Sequence, residues 1–533
     1  MSVVADVLAD AIAARAADRV FVFPGSGTNL DVIEALADRG VGVVLARSEG
    51  GAAFMASAYA DLTGKPVAML VGLGPGTANV VNGIAHALLD QSAVLLIGDR
   101  FSAAELETTG HQVLDQRALL APVTKWHETL TAANAAAVVE RALTLAAEPP
   151  AGPVYLEFPR DADGDAAPTD EVPNVAARHE QLPADAVSAL AAARRPVLLV
   201  GDEAASCPQT ELVALAERLS TPVLCSYKGK GVFPEDHDHW CGIVSNAVIE
   251  GELLAAADLL LAVGLDPIEL LPRPWHASAP VLALRAHREP APGYRPRWTA
   301  TGDVAALVGQ LAASFDAGAS EWSAAEIAQR RQALLAGLRI PAPGSLSAVE
   351  VVESVLAEAP PQTTVTVDAG AHMFAATWFW RSTQPRRFLI SDGLATMGYA
   401  VPAAIAAALA RPDEAVIAFT GDGGFLLHGM ELETAARLGA RVIVVILNDA
   451  SLSLIRIKQE DRRFRRLGVD FSPARLADIG RALGAEGAHV SDADGLRAAV
   501  RDALARPVST VIEVDLTGAE YRELQHAIRG GGT

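Results

Sequence analysis

Residues 416–429 read VIAFTGDGGFLLHG, an apolar run that stops at Gly421-Asp422-Gly423-Gly424 before a helical pattern resumes. A second apolar run, RVIVVILND (441–449), ends on Asn448-Asp449, followed by Ala450 and Ser451. The intervening GMELETAARLGA has the composition of a crossover helix, so the three pieces predict a βαβ unit. Its right-handed crossover brings the ends of both parallel strands to one side of the sheet. Asp422 and Asp449 therefore face one crevice, where two bare carboxylates repel and favour protonation. A hard divalent cation such as Mg2+ resolves the conflict, because it prefers carboxylate, carbonyl and phosphate oxygens. Gly423 and Gly424 permit close backbone approach, and the helix N-terminus favours an anion. The prediction is a site for a metal-bound diphosphate. Gly-Asp-Gly alone also fits an ordinary surface turn; the second strand ending in Asn-Asp is what favours the metal.

Outward from this unit the same alternation recurs. The first 160 residues carry the apolar runs RVFVFPG, GVVLARSEGG, PVAMLVGLGPG, SAVLLIGD and GPVYLEFP between amphipathic helical patterns. A polar, aperiodic stretch over 161–184 reads as a linker. RPVLLVGD, TPVLCSY, DLLLAVGLD and APVLALRA follow, then a charged helical stretch at 320–339 and a second break at RIPAPGS. The third block adds TTVTVDAG and STVIEVDL to the opening unit. The fold class is α/β: three doubly wound parallel-sheet domains, placed at 1–165, 185–338 and 346–525. The tail HAIRGGGT is expected to fray.

The chain has 533 residues, 51% hydrophobic and 20% charged, with a formal net charge of −21. That balance excludes a nucleic-acid partner, which needs basic surface. Cys207, Cys225 and Cys241 show no CxxC spacing and suit a reducing compartment. The N-terminus lacks a basic n-region, and no apolar run is long enough to span a bilayer. A soluble cytoplasmic protein without a membrane partner is expected.

Gly421-Asp422-Gly423 followed by Asn448-Asp449 resembles the thiamine diphosphate motif, usually written GDG…NN. The resemblance implies that Asp422, the side chain of Asp449 and the main-chain carbonyl of Ser451 hold Mg2+, with Asp in place of the usual second Asn. It covers nearly the whole chain and is strongest to the acetolactate synthase group. SDGLATMGYAVPAAIAAALA (391–410) resembles the segment holding the cofactor's centre, which puts Met397 where a bulky apolar residue bends the coenzyme. VDAGAHMFAA (367–376) resembles the turn that binds the diphosphate from the other side, through Gly370, Ala371 and His372. Thiamine chemistry further needs a carboxyl group on the aminopyrimidine ring, in an apolar pocket that raises its pKa. LARSEGGAAFMASAYADLTGKP (45–66) resembles the family's RHEQGAAHMAEGYAR region and places that Glu at Glu49, although Ser48 and Gly50 depart from the pattern. Read alone, Glu49 is a helix first-turn acid.

GLGPGTANVVNGIAHALLD (72–90) matches the family's Gly-Pro-Gly turn, with Asn79 facing the pyrimidine, and the loop GHQVLDQRALLAPVTKW (110–126) puts an active-site Gln at Gln112. His111 stands where many acetolactate synthases have Phe; it reads either as a proton shuttle or substrate donor, or as an ordinary loop histidine. Ser26, in FPGSGTNLD (23–31), replaces a Gly over the substrate. Lys458, in NDASLSLIRIKQ (448–459), replaces a Trp of biosynthetic synthases and reads equally as a solvent-facing lysine. VLLVGDEAA (197–205) has one Gly after its strand, so FAD is expected to be absent. In this family the two half-sites come from different subunits, which implies a homodimer at least, with a homotetramer expected. The resemblance implies thiamine-diphosphate- and Mg2+-dependent carbon–carbon cleavage and formation on a 2-oxo acid, by decarboxylation with carboligation. The alternatives are a 2-hydroxyketone lyase of the benzaldehyde lyase type, a carboxyethylarginine-synthase-like enzyme, a flavin-dependent oxidase and, last, a silent homologue.

Overall fold

A computed structural model describes residues 2–163, 181–287, 293–314 and 316–531. Among these residues, three six-stranded sheets follow one another along the chain, and every strand pairing within them is parallel. Strands such as Val67–Val71, VAMLV, are buried along their whole length, because helices cover both faces.

Counting strands within each domain, the first and third sheets share the order 2-1-3-4-6-5, whereas the central sheet runs 3-2-1-4-5-6. Open α/β sheets bind ligands outside the carboxyl ends of the strands where the order reverses. In the first domain that point lies between Arg19–Phe23 and Val67–Val71, and in the third between Thr364–Val367 and Val416–Gly421. In the central domain it lies between Pro196–Val200 and Leu259–Val263.

Helix Glu49–Thr63 of the first domain packs on helix Ala400–Ala410 of the third, and one core cluster holds Ala52, Ala53, Ala56, Ala403, Ala404 and Ala407. These small side chains let the two backbones approach closely. The seam fixes how the two outer domains face each other.

The expected linker falls mostly on 164–180, outside the described residues. The tail corrects its expectation: Tyr521–Arg529 is helical, with Leu524 and Ile528 buried. Val248 and Ile249 donate backbone N–H groups to the Ile528 carbonyl, and Arg273 donates to the Arg529 carbonyl at 2.6 Å. Burial of one apolar stripe outweighs the glycine-rich end that suggested fraying. Among the described residues, no helix is long and apolar enough to cross a membrane. All three cysteines are buried free thiols.

Candidate active site

Strand Val416–Gly421 delivers Asp422 as the first residue of helix Asp422–His428, where it is only 5% exposed. Its Oδ1 accepts from the Gly423 N–H at 2.9 Å, while Oδ2 is buried without a hydrogen-bond partner. Burial, with the charge of Asp449 adding to it, pushes this carboxyl up to about 6. Asp449 follows the adjacent strand Ile443–Asn448 and is itself raised by burial; the Ser453 hydroxyl donates to it, and Arg456 lies 3.6 Å away. Ala450 holds φ +51°, a strained turn that brings the Ser451 backbone amide near both carboxylates. The two acids therefore crowd one place with an unsatisfied oxygen, as the strand ends predicted.

The neighbouring turn presents Gly370, Ala371 and His372 beside this pair. Burial brings His372 down to about 4, so the ring is neutral near pH 7, and its Nε2 is buried without a hydrogen-bond partner. A Cβ on Gly421 would lie 3.3 Å from His372 Nδ1, so the two turns touch. A Cβ on Gly423 would lie 3.1 Å from Met397 Cε, which places Met397 over the start of the Asp422 helix.

In the first domain, Glu49 opens helix Glu49–Thr63 and is 8% exposed. Ser48 caps the helix through its side chain, and Asn79 Nδ2 donates to Glu49 Oε2 at 3.4 Å. Gly74 adopts φ +59° and lies directly beneath the Gln112 backbone, leaving no room for a side chain. The Gly74 N–H donates to Gln116 Oε1 at 2.7 Å, which ties the loop carrying His111 and Gln112 to the glycine turn. Both His111 and Gln112 are exposed, as are Ser26 and Lys458.

Across the seam, Ser48 Oγ lies 3.4 Å from His428 Nδ1, and a Cβ on Gly50 would come within 3.2 Å of the same ring. The residues on either side of Glu49 thus contact the far end of the Asp422 helix. Glu431, one turn on, accepts from the Arg47 N–H at 3.0 Å and from the Thr434 hydroxyl at 2.9 Å.

Several positioning residues escaped the sequence reading. Asp368, fully buried at the end of Thr364–Val367, accepts from the Gly398 N–H at 2.8 Å and the Thr420 hydroxyl at 3.0 Å. It thereby fixes the turn after Met397 to the strand before Asp422. Asn82, His86 and Asp90 form a stripe of i, i+4 and i+8 along and just past helix Val81–Leu89. Asn82 donates to Thr396 Oγ1 at 3.1 Å, His86 Nδ1 lies 3.0 Å from both Ser391 Oγ and Asp90 Oδ2, and Asp90 accepts from the Asp392 N–H at 3.0 Å. Helix Val81–Leu89 thus clamps the loop that presents Met397. The spacing in NGIAHALLD was the available signal.

The chain matches the model of the thiamine pyrophosphate enzyme N-terminal TPP binding domain over 2–119, the central domain over 184–292, and the C-terminal TPP binding domain over 368–514. It belongs to the thiamine pyrophosphate enzymes. Among its relatives, an acetolactate synthase of Bacillus subtilis is 31% identical over 96% of this chain and 92% of its own length. A catabolic acetolactate synthase of Raoultella terrigena is 30% identical over 97% and 95%. A probable 2-ketoarginine decarboxylase of Pseudomonas aeruginosa is 31% identical over 93% and 91%. In fold, the chain resembles a Rhodococcus jostii thiamine diphosphate-dependent 4-hydroxybenzoylformate decarboxylase, with a TM-score of 0.81 at 23% identity over 96% of this chain and 98% of that one. In this thiamine pyrophosphate enzyme, Asp422 falls within the C-terminal binding domain and Glu49 within the N-terminal one.

Proposed function

We propose that the protein catalyses thiamine-diphosphate- and Mg2+-dependent decarboxylation of a 2-oxo acid, followed by carboligation, as an acetolactate synthase does. The observation that carries the reading is the buried, unpartnered Asp422 Oδ2 beside Asp449. A carboxyl raised by burial and by a second acid is the donor set a hard cation relieves. Asp422, Asp449 and the Ser451 carbonyl would hold Mg2+, while Gly370, Ala371, His372, Gly423 and Gly424 would hold the diphosphate. Met397 would bend the coenzyme, with Asn79 against its pyrimidine.

Thiamine diphosphate, when bound, supplies the electron sink for the carbon–carbon bond that breaks. Glu49 would hold the activating proton at its carboxyl oxygen, since its low exposure and apolar helix keep water from competing. Gln112 and His111 would meet the substrate from the exposed loop, and Ser26 and Lys458 would tune the acceptor.

An assembly of at least two chains is supported by apolar side chains exposed beside the site: Leu426 is 47%, Leu427 56% and Met430 53% exposed. A homotetramer is the expected form, and buried free thiols favour the cytoplasm. Incubation with thiamine diphosphate, Mg2+ and pyruvate, followed by mass spectrometry, tests the reaction. Acetolactate supports it; CO2 without acetolactate removes the carboligation half. Absence of CO2 means that pyruvate is not the donor.

A further inference from the structure

The two oxygens of Asp449 are not equivalent, because the chain builds a seat for one of them. Oδ2 accepts from the Ser453 hydroxyl and lies 3.6 Å from Arg456 Nη2. It also lies against Gly518, where a Cβ would stand only 2.6 Å away and the backbone holds φ +59°, so a side chain there would displace the oxygen. Arg456 Nη2 donates to Ser453 Oγ at 3.1 Å and to the Gly518 carbonyl at 3.3 Å. Since the Ser453 oxygen takes an N–H from the guanidinium, its own proton is left for Asp449, and the relay runs one way. Ser453 and Arg456 stand three residues apart on helix Ser453–Asp461, the spacing that puts both on one face.

The charges call for such a seat. Asp449 adds its charge to the burial that raises Asp422 on one side and Glu520 on the other. Glu520 is 2% exposed, and its Oε2 is buried without a hydrogen-bond partner. One divalent ion leaves these three carboxyl groups a charge over. The Arg456 side chain, only 14% exposed, brings a further positive charge to the side of Asp449 that Ser453 and Gly518 enclose.

We propose that Arg456 is a positioning residue for the metal: directly and through Ser453 it holds Asp449 by Oδ2, offsets part of its charge, and leaves Oδ1 to the cation. The inference rests on the reading of Asp422 and Asp449 as Mg2+ ligands. Partners that hold a metal ligand from behind commonly set metal affinity by about 10–100-fold, because they fix the ligand's orientation before the ion arrives. A guanidinium that only fastened the helix to the Gly518 turn would support folding and leave metal affinity alone.

The test titrates MgCl2 into the full-length protein at saturating thiamine diphosphate and follows the melting point, a readout that needs no turnover. Arg456→Met is expected to raise the Mg2+ concentration for half-maximal stabilisation about 10–100-fold, and Arg456→Lys, which keeps the charge, to recover part of the loss. With Asp449→Asn as the background, Arg456→Met should shift that midpoint by less than about threefold, since a neutral amide needs no counter-charge. Should Arg456→Met not fold, Ser453→Ala breaks the relay alone and is expected to raise the midpoint about tenfold. A midpoint unmoved while the melting point in EDTA falls would show a structural role only and overturn the proposal. So would a lower midpoint, which means that the guanidinium repels the ion, or an equal shift in both backgrounds. Absence of any Mg2+ response in the unsubstituted protein would instead remove the metal site, and this inference with it.

Discussion

Replacing Asp422 with Asn removes a charge that the metal-free protein holds unfavourably. Burial, reinforced by Asp449, sets this carboxyl at about 6 against an ordinary 3.8. A shift of roughly 2 units corresponds to about 3 kcal/mol between the protonated and ionised forms. The folded value lies above the unfolded one, so folding takes up a proton between pH 3.8 and about 6, and the ionised carboxyl opposes folding above that window. Asn imitates the neutral form and keeps the oxygen that accepts from the Gly423 N–H. In EDTA at about pH 7.5, Asp422→Asn should therefore be more stable than the unsubstituted protein by up to about 3 kcal/mol, a melting point up to about 3 °C higher at roughly 1 °C per kcal/mol for a chain of 533 residues. The gain should shrink as pH falls through about 6 and vanish near the unfolded value. With Mg2+ and thiamine diphosphate the order should reverse, since only the original site gains stability by binding. Thermal melts with and without EDTA, at about pH 7.5 and about pH 4.5, measure each arm. A variant melting lower in EDTA at the higher pH, or a gain unchanged at the lower one, refutes the reasoning.

Glu49→Gln should lower turnover by about 10²–10⁴-fold, the span of one general acid–base group, while thiamine diphosphate still raises the melting point; steady-state rates beside melts separate the two. His86→Ala should loosen the loop before Met397 and raise the thiamine diphosphate concentration needed for half-maximal activity, with saturated kcat changing less; cofactor titrations read this directly. Lys230 lies fully buried, 2.8 Å from both Glu235 oxygens and 3.0 Å from the Trp380 carbonyl. Lys230→Ala strands Glu235 and should cost about 3–5 kcal/mol, measurable as a lowered denaturant midpoint.

The sequence showed most where a period ended on a chemically odd residue. Apolar runs stopping at Asp422 and Asp449 announced both the parallel strands and the crowded acids, because strand alternation and crossover geometry are local properties. Glu49 needed the resemblance, since an acid in a helix first turn is ordinary by itself. Asp368 stayed hidden because Val-Asp-Ala-Gly reads as a plain strand end; its partners Gly398 and Thr420 are 30 and 52 residues away. Of the clamp from His86 and Asp90 to Ser391 and Asp392, only the helical spacing stood in the sequence; the partners lie 305 and 302 residues away. Strand order was equally illegible: the central runs are as apolar as the outer ones, and nothing in their composition says which neighbour each pairs with.

The shared strand order of the outer domains raises a sharper question: why only one of two equivalent switch points presents an unsatisfied acid. In the first domain the turn after Arg19–Phe23 closes on its neighbour, and a Cβ on Gly25 would lie 2.8 Å from the Gly72 Cα. Asp99 then accepts from the Gly27 N–H at 3.3 Å, the Thr28 hydroxyl at 2.7 Å and the Asn29 N–H at 2.8 Å. The amides that would greet an anion are already spent on an internal carboxylate, and the crevice is filled by backbone. In the third domain the acid after the first strand, Asp368, is turned inward to Gly398 and Thr420, and Asp422 Oδ2 has no partner. The first domain therefore has no room for a second diphosphate, and what it offers comes from its next strand, Gly42–Leu45, which leads to Glu49. One fold used twice thus gives two unlike halves, one suited to a charged diphosphate and the other to a single buried carboxyl.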